Sequence, residues 1–170
     1  MDMNTDDVDA VREIVDQWRA RLPRLDASPL LVIGRMQRLV GILDPVLRPP
    51  FDEAGLAAGD FDVLAALRRA EPPHELSNGD LARSTLVTPG AMTKRIDRLV
   101  TAGLVTRSRA EDDGRGKVVA LTSAGRVLVD RLMRRHMGNE AAVLTALDAG
   151  EQADLARLLA KLLVSVEGAR

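Results

Sequence analysis

The feature that most restricts the fold of this chain is a change of hydrophobic period at Gly103. Upstream of it, Met92, Ile96, Leu99 and Gly103 share one face at 100° per residue, with Gly90, Lys94, Asp97 and Thr101 opposite. This predicts an amphipathic helix over residues 88–102, opened by the cap-and-proline pair Thr88-Pro89 and stopped by Gly103. Downstream, residues 104–109 and 117–121 alternate as strands around a polar, glycine-containing turn at 110–116. A short helix ending near Thr85, capped by residues 77–80, precedes the amphipathic one. Two close helices followed directly by a hairpin make a winged helix-turn-helix.

The flanking segments read as helices. Residues 7–22 repeat Val8, Val11, Val15, Trp18 and Leu22 at three- and four-residue steps, and Pro23 stops the run. Ser28-Pro29 resembles a cap and first turn for residues 30–47, whose apolar positions cover much of the circumference. That helix is expected to end before Pro49-Pro50, and another over 60–69 turns Phe61, Leu64 and Leu67 inward. Beyond the hairpin, Thr122 or Ser123 caps a helix to about His136, with a break or kink at Gly138-Asn139. Asp148 caps a last, leucine-rich helix. The expected architecture is mainly α with a small β-hairpin wing. Residues 1–50 would hold an N-terminal helix and a first dimerisation helix, 51–122 the DNA-binding lobe and 123–170 the C-terminal dimerisation helices. Leucine-rich ends too apolar for water imply a homodimer.

Charge and composition narrow the function. The 170 residues carry a net charge of −1, poor for phosphate neutralisation taken as a whole. The distribution is uneven: residues 76–131 hold ten basic and six acidic side chains, whereas residues 1–26 hold seven acidic and four basic. A basic middle between acidic ends fits a DNA-binding lobe. There is no cysteine and only two histidines, His74 and His136, so thiolate zinc sites and thiol switches are excluded and no metal or other cofactor is expected. No nucleophile motif or phosphate-binding loop is present, and an enzyme is not expected. No apolar run approaches the ~20 residues of a membrane span, and the acidic start lacks signal-peptide character, so a cytoplasmic protein is expected.

The N-terminal residues of a reading helix reach the base edges. Here these are Thr88, Pro89, Gly90, Ala91 and Thr93, small enough for close approach to double-stranded DNA, with Lys94 and Arg98 for phosphate or base contacts. At the wing, Arg115 and Lys117 are candidates, an extended arginine there being able to enter a minor groove. A winged-helix module that binds proteins instead of DNA is the competing class, favoured by the acidic total. Steep salt dependence would separate the two.

The segments Asp80-Leu-Ala-Arg, residues 88–107 and Asp113-Gly-Arg115-Gly-Lys-Val-Val-Ala-Leu-Thr122 resemble MarR-family regulators over about residues 30–166. The resemblance implies a dimer with its reading helices in successive major grooves of a palindromic operator, most often as a repressor. The extra helix with its tryptophan resembles the urate-responsive branch. That likeness implies a ligand set of Trp18, Asp62, Arg95 and Arg107. Paired arginines suit a planar anion and a tryptophan suits stacking. Asp62 could neutralise either arginine until an anion competes. Carboxylates such as citrate or trans-aconitate fit the same residues, and a repressor without a ligand remains an alternative.

Overall fold

A computed structural model describes residues 9–72, 74–85, 89–109 and 117–169, the side chains of Pro89 and Arg109 excepted. The chain divides into two compact units, one ending at Arg48 and the other beginning at Pro49.

The first unit is a helical pair. Helix α1 (Ala10–Arg21) starts where the Asp9 carboxylate accepts the Val11 N–H at 3.0 Å, and it buries Val11 and Val15. Helix α2 (Leu30–Leu47) approaches closely because Gly34 has no side chain, a Cβ there lying 3.1 Å from Val11 Cγ1. Arg35 Nε donates to Asp9 Oδ2 at 2.5 Å. The Val11 N–H, followed by Arg35, holds the Asp9 carboxyl below the usual range. The expected Ser28 side-chain cap does not form; Pro29 occupies the cap position, and the Ser28 N–H is taken by Asp26. No residue of α2 is fully buried, and Val32, Leu39, Ile42 and, at 71% exposure, Val40 face outward.

The second unit has α3 (Pro49–Glu53), α4 (Asp60–Arg69), β1 (Glu75–Ser77), α5 (Asn78–Thr85), α6 (Pro89–Thr101), β2 (Val105–Arg109) and β3 (Lys117–Leu121), then α7 (Ser123–Val143), a 3-10 turn (Leu144–Ala146) and α8 (Ala149–Glu167). The architecture is the expected mainly helical winged helix-turn-helix. The wing is not a plain hairpin, however. Strand β1 pairs with the other edge of β3, giving the antiparallel order β1-β3-β2 with Leu76 opposite Val119 and Val119 opposite Arg107.

Helix α4 lies at the centre, burying every residue from Phe61 to Leu67 except Asp62. Around it gather Leu81 of α5, Met92, Ile96 and Leu99 of α6, Val105 and Val119 of the sheet, and Val129 and Leu132 of α7. Ser77 Oγ accepts the Asp80 N–H at 3.1 Å and donates to its carboxylate at 2.7 Å, starting α5. Gly103 adopts φ 68°, and the Gly103 and Leu104 N–H groups return to the carbonyls of Val100 and Leu99, closing α6 with the reciprocal bonds of a Schellman turn.

Thr122 is the cap of α7, accepting the Gly125 N–H at 3.0 Å while its hydroxyl donates to the Gly103 and Leu104 carbonyls. Gly125 presses so closely on Leu104 that an added Cβ would overlap the carbonyl oxygen. The expected break at Gly138-Asn139 is absent, for α7 runs unbroken over 21 residues. Asp148 and Glu151 cap α8 reciprocally, each side chain accepting the other's N–H at 2.9 Å. Leu158, Leu163 and Val164 of α8 are exposed.

Candidate nucleic-acid interface

Helix α6 is built to show one side. Its apolar face is sealed, with Met92 and Ile96 at 0% exposure, so Gly90, Lys94, Asp97 and Thr101 must point outward, and they do. Ala91 and Thr93 are also exposed near its start. Lys117 is exposed at the first position of β3. Thr88 and Arg115 lie outside the described residues, as does the side chain of Pro89.

The arginines of α6 behave differently from one another. Arg98, expected to reach DNA, is turned back onto Asp60 at the start of α4. Its Nη2 lies 2.5 Å from Oδ1 and its Nε 3.2 Å from Oδ2. This hydrogen-bonded carboxylate raises the Arg98 pKa above its ordinary value. Arg95, half-buried one turn earlier, donates from Nη1 to the Gly59 carbonyl at 3.3 Å. Gly59 adopts φ 76°, and the Arg95 guanidinium occupies the space a Cβ would need. On β2, Arg107 Nη2 donates to Asp97 of α6 at 2.8 Å, and its Nε is buried without an acceptor among the described residues.

The expected pairing of Asp62 with Arg95 or Arg107 is therefore not formed. Asp62 instead lines a cavity of about 430 Å³ with Phe61, Arg69, Thr85, Met133 and His136. Phe51 and Phe61 stack at 4.4 Å, and the His136 ring packs against both. Trp18 belongs to the first unit, where it is 46% exposed. The sequence alone does not mark Gly59, Asp60 and Asp97 as the partners of Arg95, Arg98 and Arg107. The available signal was Gly-Asp directly before an apolar helix, a glycine suited to a left-handed turn followed by an acid at a helix start.

A small-residue helix end on a sealed core, beside a three-stranded sheet whose β2 and β3 form the wing, defines a winged-helix DNA-binding protein. Comparison with known proteins agrees. The model of the MarR family matches residues 54–116. The transcriptional regulator PecS of Dickeya dadantii is 35% identical over 152 residues, covering 89% of this chain and 92% of the relative. A mutant MarR from E. coli complexed with operator DNA superposes with a TM-score of 0.68 at 27% identity, covering 86% of this chain and 97% of that one. NadR in complex with 4-hydroxyphenylacetate superposes at 0.61 and 25% identity, covering 78% and 91%. The chain belongs to the MarR family of transcriptional regulators. Its relatives are named as regulators and repressors, not as enzymes.

Proposed function

We propose that this chain is a homodimeric repressor that binds a palindromic operator through α6 and the wing, and releases it when a small planar anion binds. The reading rests on one observation above the others. Among the described residues, two arginines that bear on α6 are incompletely satisfied: Arg95 has a carbonyl as its one partner, and Arg107 has a buried Nε with none. A guanidinium in such a place favours an anion able to accept from several of its N–H groups. An anion drawing Arg95 from Gly59 and Arg107 from Asp97 would alter two contacts of α6 at once, biasing it between two poses.

Urate is the first candidate for the anion, with Trp18 and Asp62 as the remaining members of the ligand set. Gly90, Ala91, Thr93 and Lys94 meet the major groove together with Thr88 and Pro89, and Arg115 with Lys117 serves the wing contact. The exposed apolar faces of α2 and α8 are offered to a second copy.

The test is fluorescence anisotropy of labelled DNA from upstream of the gene, titrated with protein and then with urate. Binding that urate reverses in the wild type but not in Arg95→Ala is the expected result. Reversal by citrate alone would move the effector to the carboxylates. No binding at low salt would refute the regulatory reading.

A further inference from the structure

Asp60 is the one charged residue among the described residues that is fully buried, at 3% exposure. A carboxylate in such a place requires donors, and Asp60 has three. They are the Ala57 N–H at 3.1 Å and the Nε and Nη2 of Arg98. The preceding residue, Gly59, receives Arg95. Consecutive residues at the start of α4 thus hold two arginines that stand three apart, hence one above the other, on α6.

The division of labour follows from the chemistry. Met92, Ile96 and Leu99 press α6 onto the core, but apolar contact is non-directional and tolerates small rotations. A two-point bond between a guanidinium fork and a carboxylate is directional and does not. We propose that Asp60 is a positioning residue for DNA recognition, fixing through Arg98 the rotation of α6 that presents Gly90, Ala91 and Lys94 to the groove. This rests on the reading of α6 as the DNA-contacting helix. It gives Arg98 the opposite assignment to a phosphate contact, so the two roles differ in the sign of an effect. Releasing a phosphate-binding arginine from its carboxylate would strengthen DNA binding; releasing a positioning arginine weakens it.

The experiment uses the full chain with two labelled duplexes of equal length. One is enriched from a random-sequence pool by the wild-type protein, and the other is unrelated. Anisotropy is measured over a salt series for the wild type, Asp60→Asn and Arg98→Lys. The D60N variant is expected to bind the enriched duplex about tenfold more weakly and the unrelated duplex within about twofold of wild type, a loss of specificity and not of charge. The R98K variant keeps the charge but cannot span both carboxylate oxygens, and should show the same pattern. It also carries the test if circular dichroism shows D60N to be unfolded. Tighter or unchanged binding by D60N, or a parallel loss on both duplexes, would overturn the proposal while leaving α6 as the reading helix. A wild-type protein that enriches no duplex would overturn that reading and the proposal with it.

Discussion

Replacing Gly59 with alanine tests the seat of Arg95 through energetics alone. Gly59 has φ 76°, where a side chain costs about 1–2 kcal/mol. The new Cβ would also fall on the Arg95 guanidinium, which is flexible and can swing away at the expense of its bond to the Gly59 carbonyl. A half-exposed bond of 3.3 Å is worth about 0.5–1 kcal/mol. The total is roughly 1.5–3 kcal/mol, or about 3–12 °C in Tm for a chain of this size. Thermal unfolding by circular dichroism, at fixed protein concentration, would measure it in the wild type and in Arg95→Ala. With Arg95 already truncated only the backbone cost should remain, so the cycle should show a coupling of about 0.5–1 kcal/mol. Costs equal in the two backgrounds to within about 0.3 kcal/mol would show that the Arg95 seat carries no energetic weight.

Three further perturbations probe the second unit. In Gly125→Ala the added Cβ meets the Leu104 carbonyl, which is backbone and cannot swing aside, so a loss of about 1–3 kcal/mol is expected in denaturant unfolding. Glu53 has its carboxyl held below the ordinary range by its hydrogen bond to Arg135. Its contribution should be complete above about pH 5 and fade as pH falls through the lowered value, so wild type and Glu53→Gln should differ at neutral pH and converge in acid. Asp148→Ala removes the carboxylate that accepts the Glu151 N–H and leaves the backbone N–H of residue 148 on Glu151; about 1 kcal/mol should be lost, with faster amide exchange confined to the first turn of that helix.

Much of the lobe could be read from the residues because local signals agreed with packing there. The apolar stripe of α6 and the glycine that ends it stand in the sequence outright, and the caps of α5 and α7 narrow there to residues 77–80 and to Thr122 or Ser123, of which Ser77 and Thr122 cap. What escaped depended on distant partners. Glu75, Leu76 and Ser77 have no strand pattern of their own and are extended because β3 offers a free edge. Pro49 and Pro50 read as a stop, yet proline is tolerated in a first turn, and α3 begins with both. Gly138 costs about 1 kcal/mol in a helix, too little to break α7 between two favourable halves. At the site, spacing put Arg98 near the outer side of α6. Its fork is directed inward by Asp60, a carboxylate 38 residues earlier that reads locally as a helix start.

The continuity of α7 has a mechanical consequence. Twenty-one residues make a rod about 31 Å long, joined at its start by Thr122 and Gly125 to the junction of α6 and β2 and held along its middle by Val129 and Leu132 in the core. A tilt of only about 10° displaces the far end of such a rod by about 5 Å, close to one helical pitch. A break at Gly138 would uncouple the two halves of α7; in the unbroken helix they tilt together. A small rotation at the junction of α6 and β2 would be larger at the far end of α7, and a displacement of that end would return to α6 reduced in amplitude.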